Sequence, residues 1–152
     1  MKGINELAGM VIPVELLESF DVISEAGKSQ ATKDTHAAYR RSTKTLYLNR
    51  RTFSSLQTQV QEAVVAHEIA HALAHRDSLM DKLPMYAEFG NFGEEFLADR
   101  LACEWGFFEG LRIERIASYG QAYVMALEKW EDETTYCKEM SLWHIRRQAG
   151  LV

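Results

Sequence analysis

His67-Glu68-Ile69-Ala70-His71 lies inside a stretch whose apolar residues Leu56, Val60, Ala63, Val64, Ala70 and Leu73 recur at helical spacing. That period predicts a largely buried helix from about Ser54 to His75. On such a helix the two imidazoles stand four residues apart and roughly 6 Å from each other on one face, a span that one tetrahedral zinc ion bridges. Glu68 is offset by one residue, about 100° around the axis, which keeps it beside the metal rather than on it. There a carboxylate can take the proton from a zinc-bound water. The pentapeptide therefore reads as two ligands and a base, the core of a zinc hydrolase site. Three fixed residue types in so short a window also recur by chance, so the rest of the chain has to complete the site.

Upstream, Ala38-Tyr39-Arg40 and Thr45-Leu46-Tyr47-Leu48 flank the polar Arg41-Ser42-Thr43-Lys44, which predicts two short strands around a turn. The second strand reads equally as a core strand or as a sheet edge able to bind an extended peptide. Before it, Ser24 to Thr35 reads as a loop. Residues 14 to 20, following Pro13, suit a short helix with proline at its first turn. Downstream, Asp77 to Asn91 contains Pro84 and Gly90 and reads as a break. It is long for a plain connection, and a lid over a cleft is one use for it. Helical period resumes from Phe92 to Gly106 through Phe96, Leu97, Leu101 and Ala102, then over Ile113 to Tyr119, Gln121 to Trp130 and Thr134 to Gln148. Trp130, Tyr136 and Trp143 read as a core stripe of that last part. The expected class is α+β, mostly α: a single domain over residues 1–152 with a small N-terminal sheet, the motif helix, a following helix and a helical C-terminal part.

With 152 residues and 47% hydrophobic content, the chain can bury about two-thirds of its unfolded surface in one core, so no metal is needed to hold the fold. A net charge of -5 supplies no basic field, and Arg40-Arg41 and Arg146-Arg147 are isolated pairs. Direct nucleic-acid binding is disfavoured. No window approaches about 18 uncharged apolar residues, and the first residues lack an apolar signal core, which predicts a cytoplasmic protein without membrane spans. Cys103 and Cys137 are the only cysteines and read as small core residues rather than a disulfide or ligands.

A catalytic zinc takes three protein ligands and leaves a fourth position open. His75 is eight residues from His67, about 12 Å along the axis, too far to share the ion. It reads as a helix C-terminal histidine favoured by the dipole. The pattern with a glycine and a third histidine after His71 is absent, because Ala74 and Asp77 stand at those places. The next helix offers Glu94-Glu95-Phe96-Leu97-Ala98-Asp99. Glu95 and Asp99 share a face, and a pair of carboxylates turned toward a packing surface is costly unless a cation compensates. One can bind metal while the other buttresses. Glu94 reads as part of a solvated acidic face.

His67-Glu68-x-x-His71 followed by Glu95-x-x-Ala98-Asp99-x-x-Ala102 resembles the gluzincin clan of zinc metallopeptidases. Within that clan, a strand ending in Leu46-Tyr47-Leu48-Asn49, then the motif helix, then the Glu-x-x-Ala-Asp helix, is similar to the ImmA/IrrE-type peptidases over residues 37 to 106. The HtpX-like peptidases are a second resemblance, although those are membrane-embedded. The resemblance implies a zincin-like fold, a Zn2+ cofactor held by His67, His71 and Glu95, Glu68 as base, and Asp99 orienting a ligand histidine. It implies a peptidase, endopeptidase rather than exopeptidase, acting on a protein or peptide substrate such as a helix-turn-helix repressor. Other readings are a non-catalytic zinc sensor or interaction module and a helical interaction protein with a chance motif. Glu68 argues against a purely structural site, which has no use for a carboxylate at that offset. Tyr39, Tyr86, His36 and Tyr119 are candidate donors for an oxyanion. Oligomeric state is open at this level.

Overall fold

A computed structural model describes residues 12–18, 35–83 and 93–132. Strand β1 (Val14–Leu17) comes first, followed by β2 (Ala37–Arg40) and β3 (Thr45–Asn49). The alternation around Arg41-Ser42-Thr43-Lys44 does make a hairpin, with Ala38 opposite Tyr47 and Arg40 opposite Thr45. Lys44 closes the turn in the left-handed region, at φ 51°. β1 joins the other side of β3 in parallel, giving the order β1-β3-β2.

One expectation is overturned here, and one open alternative is decided. Val14 to Leu17 is a strand, not the start of a helix. The carbonyl of Pro13 accepts the Leu46 amide at 2.9 Å, so the segment finds ready-made ladder partners, and a helix this short could not recover its nucleation cost. β3 is the central strand and has no free edge for a substrate. Its side chains from Leu46 to Asn49 are buried, and the outer strand on the side of the helices is β2.

The fully buried Asn49 ends the sheet and caps the helical turn α1 (Arg50–Phe53). Its Oδ1 accepts the Arg51 amide at 3.1 Å while its Nδ2 donates to the Thr35 carbonyl at 2.9 Å. The main helix α2 (Thr58–Arg76) starts four residues later than the apolar period suggests. Residues 54–57 form a turn, with the Leu56 amide on the Phe53 carbonyl at 3.1 Å, and this changes the chain direction between sheet and helix. From Val60 to Ala74 α2 is buried on almost every side, with Ala63, Ala66 and Ala70 fully enclosed.

The break after α2 opens with the short α3 (Leu79–Lys82), entered through Ser78 at φ 53°. Leu79 and Leu83 are buried there. The remainder of that break, residues 84–91, lies outside the described residues, as do Phe92, Ser24 to Asp34, Cys137 and the helix expected over Thr134 to Gln148. Helix α4 (Gly93–Glu104) ends in a left-handed Gly106, φ 96°, with the Phe107 amide on the Ala102 carbonyl and the Gly106 amide on the Cys103 carbonyl. That pairing is the Schellman stop, and a glycine is what allows it. Helix α5 (Phe108–Ser118) begins five residues before its apolar period becomes visible, and α6 (Gln121–Asp132) follows Gly120.

α4 and α5 both pack on α2. At Gly110 of α5 a Cβ would come within 2.3 Å of the Gln59 carbonyl oxygen and 2.7 Å of the Ala63 Cβ. One cluster of buried side chains runs from Leu46 and Leu48 of the sheet through α2 to Phe96, Leu101, Leu111 and Leu127. The architecture is α+β and mostly helical. Cys103 is buried. Among the described residues no helix is long and apolar enough to cross a membrane.

Candidate metal centre

α2 presents His67 and His71 on one face, with ring centroids 4.6 Å apart and the rings nearly perpendicular. α4 crosses that face and brings Glu95 to both. The Nε2 atoms of the histidines are 3.0 Å apart. Glu95 reaches His67 Nε2 with Oε2 at 3.0 Å and His71 Nε2 with Oε1 at 2.9 Å. One ligand atom from each of these residues lies within 4.8 Å of the others.

The far nitrogens of the two rings are already engaged. His67 Nδ1 lies 2.5 Å from Asp99 Oδ1, and His71 Nδ1 lies 2.9 Å from Glu94 Oε1. A carboxylate can only accept, so each Nδ1 carries the proton and each Nε2 turns a lone pair inward. Two such lone pairs and a carboxylate converge on one point, and a cation must sit among them, either protons or a metal ion. For zinc, bonds of about 2.0–2.1 Å put the corners of a tetrahedron about 3.3–3.4 Å apart. The observed separations are roughly 0.4 Å tighter than that, with the atom types a zinc site uses. The donor set fits the ion.

No protein-family model, curated protein or solved structure matches the chain. What the centre can do is therefore read from its own groups.

Burial opposes charging His67, yet the carboxylates of Asp99 and Glu95 outweigh it and lift its pKa to about 9. His71 is likewise raised against its burial, by Glu94, Glu95 and Glu68. Glu95 moves the other way. Desolvation pushes its carboxyl up, but His67 and His71 hold it far below the usual carboxylate range. The pocket attracts cations strongly, and a metal and a proton compete for the same lone pairs.

Glu68 stays off this cluster. Its Oε1 is 3.9 Å from His67 Nε2, and its Oε2 accepts the main-chain N–H of Tyr39 at 3.0 Å. Burial raises its pKa, against the pull of both histidines and the Tyr39 amide. A carboxylate raised in this way is better matched to taking and returning a proton near neutral pH.

Asp99 is enclosed completely. The Arg115 guanidinium holds both its oxygens, Nε on Oδ2 at 2.9 Å and Nη2 on Oδ1 at 3.1 Å, and the Tyr123 hydroxyl donates to Oδ2 at 2.5 Å. Burial would raise the Asp99 carboxyl, but Arg115 and His67 keep it well below its ordinary value. Tyr119, one of the candidate oxyanion donors, lies under that guanidinium at 5.1 Å and against the Tyr123 ring at 5.0 Å.

The structure brings together His67, Glu68, His71, Glu95 and Asp99, the five residues singled out from sequence. Glu94 departs from expectation. It is not on a solvated face, because its carboxylate joins His71 to Arg41 of the β2–β3 turn. Tyr39 contributes its main-chain N–H to Glu68, Tyr86 lies outside the described residues, and the His36 carbonyl is used in the sheet, accepting the Asn49 amide. His75 is exposed at the end of α2, as expected. Arg115 and Tyr123 were not anticipated. A signal for Arg115 does exist: it stands one turn after the fully buried Leu111 on the inward face of α5, where a lone charge needs a partner.

Proposed function

We propose that this chain is a zinc-dependent peptidase with a zincin-like fold of the gluzincin kind, in which His67, His71 and Glu95 hold the metal and Glu68 is the catalytic base. The observation that carries this reading is the division of labour among the carboxylates. Glu95 joins the ring of inward lone pairs, Glu94 and Asp99 stand behind the two histidines, and Glu68 alone faces the centre while tied elsewhere. A site built only to hold metal needs no such fourth group.

Zinc bound there would lower the pKa of a water at its open position toward about 7 and polarise a peptide carbonyl. The chain's own groups do the rest. Glu68 accepts the proton of the attacking water and returns it to the leaving amine nitrogen. The Tyr39 amide holds the Glu68 carboxylate by one oxygen, which leaves the other free to exchange that proton. Asp99 and Glu94 keep both rings in the tautomer that offers Nε2. An extended peptide can add to the outer edge of β2, as the sheet order leaves that side without a strand partner among the described residues. The resemblance to ImmA/IrrE-type peptidases supports a regulatory protein, such as a helix-turn-helix repressor, as the target.

Purified protein should carry about one zinc per chain. Glu68→Gln should keep that zinc while cleavage of an unfolded protein substrate falls by about 10²–10⁴-fold. A Glu68→Gln enzyme that cleaves at the full rate would sink the mechanism. Protein that takes up no metal after zinc supplementation would sink the site.

A further inference from the structure

Arg41 sits in the turn between β2 and β3, remote in sequence from every residue of the proposed centre. Its Nη2 donates to Glu94 Oε2 at 2.6 Å, and the other oxygen of the same carboxylate faces His71 Nδ1 at 2.9 Å. Glu94 is thereby spanned between a cation on the sheet and an imidazole on α2. Its side chain is only 25% exposed, in a region that already holds Glu68, Glu95 and Asp99, whereas Arg41 is 56% exposed and stays hydrated. A fourth carboxylate in that crowd would swing toward water, or toward the metal itself, unless something held it.

We propose that Arg41 is a positioning residue for the metal centre, acting through Glu94 to hold the His71 ring with Nε2 toward His67 and Glu95. The inference rests on the metal-centre reading above. It also gives the hairpin two grips on the site. The Tyr39 amide holds the base, and Arg41 holds His71 through Glu94, while His67 is held from the helical side by Asp99.

The sign of one substitution separates this role from a bare electrostatic one. Arg41 is a positive charge near a cation site, so by Coulomb attraction alone its removal would tighten zinc binding. Removal of a positioning residue loosens it. The experiment is zinc affinity measured by competition with a chromophoric chelator at fixed pH and ionic strength. The visible spectrum of the cobalt(II) form serves as a second readout of ligand geometry.

Glu94→Ala should raise the zinc Kd by roughly 10–100-fold, the usual cost of losing a group that orients a ligand. Arg41→Ala should raise it by roughly 3–10-fold and shift the cobalt spectrum in the same direction, and Arg41→Lys should recover part of the loss. In a Glu94→Ala background, Arg41→Ala should add nothing. Unchanged or tighter zinc binding in Arg41→Ala overturns the proposal, and so does an equal loss in both backgrounds. Failure of the metal-centre reading looks different: the unsubstituted chain would bind neither zinc nor cobalt, or His71→Ala would bind as tightly as it.

Discussion

Asp99 and Glu94 ride on the same helix and do the same thing to two different histidines, one from inside the helical layer and the other from its seam with the sheet. Asp99 has no solvent exposure, and Arg115 and Tyr123 close around it. Glu94 is a quarter exposed, and its counter-ion is more than half exposed. In the first arm the low dielectric strengthens every contact but makes each partner intolerant of losing the other. In the second, water screens the pair and also makes it cheap to break. One arm ties the proposed metal site to the stability of the fold, and the other ties it to the position of a hairpin.

The strongest way to break that comparison is to remove each carboxylate and measure folding rather than metal. Asp99→Ala takes the bidentate carboxylate from the buried Arg115 guanidinium and leaves it Glu114 as an ion-pair partner, which should cost about 3–5 kcal/mol in chemical denaturation of the metal-free protein. Glu94→Ala should cost less, about 1–2 kcal/mol in the same measurement, because water screens its Arg41 side while its His71 side is largely buried. Equal losses would mean that the two arms do not differ in kind.

A smaller effect is expected from Gly110. The carbonyl of Gln59 leaves no room for a Cβ there, so Gly110→Ala should push α5 off α2 at a cost of about 1–3 kcal/mol. α5 carries Arg115, so zinc affinity should weaken through the buried arm alone. A Glu94→Ala background should then show the same additional loss, and a loss that disappeared there would contradict the separation of the two arms.

The smallest effect concerns acid. Burial pushes the Glu94 carboxyl up, but His71 and Arg41 outweigh it and bring it down to about 2. A carboxyl lowered by folding contributes stability that is complete above its unfolded value, about 4.3, and is lost as pH falls toward the folded one. In the metal-free protein, Glu94→Gln should therefore flatten the stability curve between about pH 4.5 and 2 and, because Glu94 also helps to raise His71, change its slope above about pH 6.5 as well. Added salt should shrink that difference, because the Arg41 side of the pair is exposed. A change confined to neutral pH would contradict the assignment.

Local pattern carried much of this molecule. The hairpin was readable because its strands flank a polar turn, and His67, Glu68, His71, Glu95 and Asp99 because helical spacing puts each on a definite face. What the pattern could not carry depends on distant partners. β1 is a strand only because β3 offers it a ladder, in parallel and far along the chain. Glu94 differs from an ordinary surface glutamate only through Arg41 and His71. Tyr123 looks like any half-buried aromatic until α6 folds back and sets its hydroxyl on Asp99. α2 starts later than its apolar period implies because Leu56 continues that period through a turn.

The donor that holds Glu68 is a main-chain amide, not a side chain. Sequence drift can therefore replace Tyr39 by almost any residue without disturbing the grip on Glu68. Proline is the exception, since it alone has no N–H to give. This contact of the proposed base is thus recorded nowhere in the identity of its partner, and substitution tolerance at position 39 would conceal it.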